Sequence, residues 1–186
     1  DKTSAATGDS HDTAKRLRER AERLLGRPAV TKDDSVVLAD GRTLAYTVKA
    51  AFIPVLGQGL GLVASEPQAA VFTTAYTLQC ATPGTRPVCF AFNGGPGSSS
   101  IWLHLGALGP KRVRVHDDGS VPPAPYAVED NPLTWLAHFD LVFIDPPHTG
   151  WSVSASEAAR KRQLSVDGDV EALAEVMRAW LAANGR

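Results

Sequence analysis

Three glycines fall within four positions of Phe92-Asn93-Gly94-Gly95-Pro96-Gly97-Ser98-Ser99-Ser100, between an apolar run and a helical one. Without side chains, Gly94, Gly95 and Gly97 leave backbone N–H groups open to a ligand, and Pro96 holds one φ angle fixed. With Asn93 as an adjacent amide donor, the loop suits negative charge on oxygen, either a carboxylate or the oxyanion of acyl transfer. The competing reading of Asn93 is a turn cap formed by its own side chain. The loop carries no nucleophile paired with a base. No Gly-x-Ser-x-Gly occurs anywhere in the chain, although that pattern places a serine on a sharp strand-to-helix turn. Its nearest approaches, Gly97-Ser98-Ser99-Ser100-Ile101 and Gly150-Trp151-Ser152-Val153-Ser154, each lack the final glycine.

The elements that must position this loop are mostly strands. Val36–Ala39 and Thr43–Val48 flank Asp40-Gly41, a tight-turn pair, and predict an antiparallel entry to a sheet. Ala70–Leu78 and Val88–Phe92 predict two further strands around Thr82-Pro83-Gly84, the second delivering Asn93 at its C-terminal end, where open α/β sheets place ligand sites. Ser100–Leu108 follows as a short helix whose positive end would face the same site. A later helix, Val170–Ala183, carries Val170, Leu173, Ala174, Met177 and Leu181 as its apolar stripe behind an Asp167 or Asp169 cap. Gly57, Gly59 and Gly61 lack the remainder of a nucleotide fingerprint and read as a hairpin connection. Before the sheet, Thr13–Leu25 predicts an amphipathic helix stopped by Gly26 and Pro28, following a polar tail. Its basic residues alternate with Glu19 and Glu22 as a solvated face. The chain thus divides into 1–34, tail and short helix, and 35–186, one α/β unit.

The glycine loop resembles the signature loop of the serine carboxypeptidases, α/β-hydrolase-fold enzymes that remove single residues from peptide C-termini. Phe139-Asp140-Leu141-Val142-Phe143-Ile144-Asp145-Pro146-Pro147-His148-Thr149-Gly150-Trp151-Ser152 is similar to the family's next core strand and turn. Gly106-Ala107-Leu108-Gly109-Pro110 and Asn131-Pro132-Leu133-Thr134-Trp135 match as landmarks in the right order. The resemblance runs from Ser35 to Arg186 and corresponds to less than half of a typical member. It implies the N-terminal part of an α/β-hydrolase fold, a mixed sheet with antiparallel entry hairpins and flanking helices. It gives Asn93 and the Gly94 N–H the substrate's terminal carboxylate, the Gly95 N–H one oxyanion-hole position, and Trp151 a place in the pocket wall. The family's nucleophile elbow, aspartate and histidine would lie in sequence beyond Arg186, so the remaining C-terminal portion of the same protein is an expected partner, alongside peptides with a free C-terminus. An esterase or acyltransferase, or a non-catalytic fragment, are the alternatives. The sequence departs from the pattern twice: His148 stands where the family's Gly-Thr-Gly has its first glycine, and Ser98 replaces the cysteine common in eukaryotic members, suggesting a bacterial-type branch.

The rest of the composition bounds these readings. The 186 residues are 44% hydrophobic and 21% charged, with a net charge of −1, which gives no electrostatic reason to bind nucleic acid. No apolar run approaches the roughly 20 residues of a membrane helix. The chain opens on Asp1, leaving a removed signal peptide and a fragment both open, and the family reading favours a secreted or periplasmic setting. Cys80 and Cys89 face each other if the chain turns as a hairpin around Gly84 and Thr85, so a disulfide and two half-buried thiols are both open. The five histidines show no metal spacing, and no cofactor is called for. His104 and His148 come near the site in sequence, with packed roles favoured over catalysis. Asp145, ending a strand before Pro146, reads as a turn initiator.

Overall fold

In the computed structural model the backbone is described over residues 3–57, 66–80, 82, 84–94 and 97–186, with side chains of the N-terminal helix from Asp12 onward. Gly95 and Pro96 lie outside the described residues, as do Pro83 and the Gly59 and Gly61 positions.

Helix α1 spans Thr3–Leu25, starting ten residues before the amphipathic stretch that predicts it, because adding turns to an anchored helix costs little. Its C-terminal end is the anchor: Ala21 is buried, and Leu24 and Leu25 pack with it against Ala70, Val153, Ala155 and Phe52. The stripe's other end is looser, with Ala14 exposed.

Strands β1 (Val30–Val37) and β2 (Thr43–Val55) form the entry hairpin, turning at Gly41 with φ +84°. Both run further from the turn than the apolar pattern indicated, because Lys32, Asp33 and Asp34 occupy a strand at the sheet edge, where charge is tolerated. Strand β3 (Ala69–Leu78) continues the antiparallel series. Strands β4 (Val88–Ala91), β5 (Lys111–Val113), β6 (Val128–Asp130), β7 (Asp140–Ile144) and β8 (Val153–Ser154) follow.

The order across the main sheet is β1-β2-β3-β7-β4, with β8 also pairing β3 and with β5 and β6 forming a separate ribbon. β7 therefore lies between β3 and β4, antiparallel to the first and parallel to the second. That overturns the β3–β4 hairpin and the pairing of Cys80 with Cys89. Two strand spacings put the flanking strands about 10 Å apart, beyond the ~7 Å a disulfide tolerates, and both thiols are free. β7 is buried along its whole length, as a central strand covered on both faces must be.

Two cores sit on the two faces of the sheet. On one, Val142 and Ile144 meet Val71, Ala75 and helix α4 (Val166–Ala183) through Ala172, Leu173, Val176 and Trp180. On the other, Leu141 and Phe143 meet Val36, Tyr46, Tyr76 and Leu136. The buried stripe of α4 is rotated from the expected one: Val170 and Ala174 are exposed, while Val176 and Trp180 are buried. Its cap is Ser165, whose hydroxyl accepts from Gly168 N at 3.1 Å, with Asp167 and Asp169 in the first turn. Helix α3 (Glu157–Gln163) precedes it.

The element after the glycine loop is one α-helical turn, α2 (Ile101–Leu103), that widens into a π-helical turn over His104–Leu108. The two expected landmarks meet at its end. Asn131 Nδ2 donates to the Ala107 and Gly109 carbonyls, both at 2.8 Å, and Thr134 Oγ1 donates to the Leu108 carbonyl at 2.8 Å. Carbonyls that a terminating helix leaves unpaired are thus satisfied by buried side chains. The architecture is the mixed α/β sheet with antiparallel entry and flanking helices that the N-terminal part of an α/β-hydrolase requires.

Candidate active-site loop

β4 ends at Ala91, paired with Phe143 of β7, so the glycine loop leaves the sheet beside the C-terminal end of the central strand. Asn93 is partly buried and Gly94 exposed. The Asn93 Oδ1 is buried without a hydrogen-bond partner among the described residues. Both residues line a cleft of about 240 Å³ whose other walls are Gly97, Pro146, Pro147, Thr149 and the α3–α4 corner from Gln163 to Val166. Asp169 also lines it, and burial raises its carboxyl above the ordinary value. Gly95 falls outside the described residues, so the loop is followed through its two ends.

The far end of the loop is fixed by Asp145. Its Oδ1 accepts from Ser100 N and from Ser100 Oγ, both at 2.9 Å, and its Oδ2 accepts from Trp151 N at 3.2 Å. Its own carbonyl accepts from Ser152 Oγ at 2.7 Å, and that hydroxyl in turn accepts from Phe72 N at 2.8 Å. Turn formation, the expected role, belongs to the next carbonyl: Pro146 O accepts from Thr149 N and Thr149 Oγ1. The α2 end does not present its first amide to a ligand, because Ser100 N is engaged by Asp145. Gly150 lets the carboxylate come so close. A Cβ there would stand 2.0 Å from Asp145 Oδ2, and its φ of +50° is one that side chains rarely adopt.

Strand alternation carries Asp145 to the same face as Leu141 and Phe143, and there it floors a second cleft of about 480 Å³ with Phe72, Ser99, Ile101, His104 and Trp151. Trp151 is 71% exposed. The structure thus brings Asn93 and Gly94 together in one cleft and sets Trp151 in the other.

Neither histidine is placed as a base. His104 Nε2 lies 2.6 Å from the Tyr76 hydroxyl, and the imidazole stacks on Phe143 at 4.5 Å between centroids. Burial lowers its pKa to about 4 against a smaller upward pull from Asp145, and burial likewise raises that of Tyr76, so both groups are neutral near pH 7. His148 has φ +69°, at the position where the family pattern carries glycine, and its Nε2 is 2.7 Å from Ser154 Oγ. Ser154 Oγ donates to Gln163 Oε1, so the imidazole N–H faces the hydroxyl oxygen, the wrong orientation for activating a nucleophile. Burial, then Arg160, lowers the His148 pKa. Ser152 is buried and holds Asp145 and Phe72 together.

Among the described residues no group of three or more His, Cys, Asp or Glu side chains could hold a metal ion. No helix among them is long and apolar enough to cross a membrane. The roles of Ser100, Asp145 and Gly150 escaped the sequence reading. The available signal was the period-two alternation of β7, which sets Asp145 on one face, yet nothing in it names a partner 45 residues earlier.

Asn93 and Gly94 thus share a cleft beside the C-terminal end of a parallel strand pair. The family model for serine carboxypeptidases matches residues 61–185. Serine carboxypeptidase-like 36 of Arabidopsis thaliana is 37% identical over 98 residues, 52% of this chain and 19% of that protein, so the alignment spans under a fifth of the relative's length. On the extent of the family match and the placement of its signature loop, the chain belongs to the serine carboxypeptidase family.

Proposed function

We propose that this chain supplies the carboxylate- and oxyanion-binding loop of a serine-type carboxypeptidase whose Ser/His/Asp triad is carried by other sequence of the same protein. The observation that carries the reading is the position of Asn93: two residues past the end of β4 it lines a cleft with Gly94, where its side-chain NH2 is a donor available to an anion. Asn93 and the Gly94 N–H hold the substrate's terminal carboxylate, and the Gly95 N–H faces the oxyanion. Fixing the carboxylate sets the scissile carbonyl one residue away, which is what restricts cleavage to the C-terminus. The substrates are peptides with a free C-terminus, and the setting is secreted or periplasmic. Ser98 supports a bacterial-type branch.

The test is Asn93→Ala in the full-length enzyme. Loss of a donor to a charged group costs about 1.5–3 kcal/mol, roughly ten- to a hundredfold in kcat/KM for free-acid peptides, with a much smaller loss on amidated or esterified ones. Gly95→Ala harms both substrate types, since a methyl group crowds the loop. Equal losses for Asn93→Ala on acid and amide substrates would show that Asn93 shapes the turn, and would favour a general esterase or acyltransferase.

A further inference from the structure

Besides Asn93, the polar side chains lining its cleft are Thr149, Gln163, Ser165 and Asp169. Three of these have nothing to offer an anion. The Thr149 hydroxyl donates to the Pro146 carbonyl at 2.9 Å and that of Ser165 to the Arg162 carbonyl at 2.6 Å, so each has spent its one proton. Asp169 when ionised can only accept, although burial raises its carboxyl toward the neutral form. Gln163 is different.

Gln163 ends α3 and is 6% exposed. Its Oε1 accepts the Ser154 hydroxyl proton, so the oxygen end of the amide is already engaged. Among the described residues nothing accepts from its Nε2, which is not sealed from solvent. A nearly buried side chain therefore keeps two N–H bonds open. Gln163 also borders a second cleft of about 500 Å³, where Arg162 and Arg178 are balanced by Glu171 and Glu175. Only the first cleft sets another amide donor, Asn93, beside it. A relay of hydrogen bonds orients Gln163. His148 Nε2 lies 2.7 Å from Ser154 Oγ, and Ser154, itself buried, passes its own proton on to Gln163. His148 reaches Ser154 from a φ of +69°, a conformation unfavourable for a residue with a side chain. The strained histidine and the buried glutamine are two ends of one chain of bonds.

We propose that Gln163 is a second donor to the substrate's terminal carboxylate, sharing it with Asn93, and that Ser154 and His148 are positioning residues that hold the Gln163 amide by its oxygen and leave its nitrogen to the ligand. This rests on the functional reading above. Two directional donors fix a carboxylate's orientation as well as its place. An ionised Asp169 opposes an anion in the same cleft, a repulsion that the second donor offsets. Both amides act on the carboxylate rather than on the reacting carbonyl, so loss of Gln163 falls on KM and spares kcat.

The experiment compares Gln163→Glu, Gln163→Leu and Ser154→Ala with Asn93→Ala in the full-length protein, by steady-state kinetics at one pH on a free-acid peptide and its C-terminal amide. Gln163→Glu puts an anion of the same shape in place of the donor. It raises KM for the acid at least about tenfold, while kcat and the KM of the amide stay within about twofold. Gln163→Leu removes the donor without adding charge and raises the acid's KM about three- to tenfold. Ser154→Ala frees the Gln163 amide to turn, raises the acid's KM about threefold, and serves if the Gln163 variants do not fold. The proposal is overturned if acid and amide lose equally, or if kcat carries the loss. An unchanged KM in Ser154→Ala overturns the positioning role. An acid-selective loss in Asn93→Ala with none in the Gln163 variants also overturns the proposal and leaves the functional reading standing. If neither Asn93→Ala nor Gln163→Glu separates acid from amide, that reading fails and the proposal with it.

Discussion

A neutral imidazole held between a tyrosine hydroxyl and a phenyl ring ties His104 to acid sensitivity. Its pKa is about 4 in the folded protein against an ordinary 6.5. Between those values the unfolded chain binds the proton and the folded one resists it, so the stabilisation is complete above pH 6.5 and is lost as pH falls toward 4. The size is at most about 3 kcal/mol, from a shift of this order. His104→Gln keeps a partner for Tyr76 but cannot titrate. The expected outcome is a shallower loss of stability for the variant between pH 7 and 4.5, measured by urea unfolding of the full-length protein. Parallel slopes for the two proteins would show that His104 does not govern the acid limb. His148, by contrast, holds a left-handed conformation at a position suited to glycine, and its bond to Ser154 compensates for part of that strain.

At the scale of elements, helix α4 separates what could be read from what could not. The Gly168 amide bonds to Ser165, so Ser165→Ala costs about 1 kcal/mol. Asp167→Ala removes only a charge near the helix start and costs a few tenths. Thermal melts of the two variants check this, and a larger loss for Asp167→Ala would return the cap to the acidic residue. The sequence pointed to the helix and to part of its face, Leu173, Met177 and Leu181 meeting the core, but it took Val170 and Ala174 in place of Val176 and Trp180, which fit an apolar period equally well until the sheet decides which pair it covers. Strand existence was equally legible: β3 differs from its expected bounds by one residue at its start and β4 by one at its end. Strand order was not, since insertion of β7 between them depends on contacts across some 50 to 70 residues that no local pattern encodes. For the site, Asn93 and Gly94 could be proposed because glycine spacing is a local signal. The Asp145–Ser100 contact was invisible for the same reason that β7's place was.

For the molecule as a whole, exposure is the telling quantity. The chain exposes 11449 Å² at 19.7 kDa, against about 8,600 Å² for a compact monomer of that mass. Part of the excess is apolar and lies around the candidate site: Val166 is 81% exposed, with Val170, Ile101 and Trp102 also open. Among the described residues β4 has a neighbour on one side only, and its Val88-Cys89-Phe90-Ala91 edge carries no charge to discourage pairing. The 186-residue polypeptide alone is therefore expected to self-associate at micromolar concentration. Sedimentation and thermal scans decide this, and a monomeric, cooperative, reversible transition would contradict it.

The late position of β7 also sets a timetable. During synthesis at ~5–20 residues per second, β4 is complete for roughly 3–10 s before Phe143, the partner of Ala91, has been made. In that interval nothing yet stands between β3 and β4, and only eight residues separate Cys80 from Cys89. A bridge closed then would hold the two strands together and shut β7 out of the centre of the sheet. In an oxidising compartment the pair is thus a kinetic hazard, and Cys80→Ser should raise the yield of native protein refolded under oxidising conditions while leaving the yield under reducing conditions unchanged.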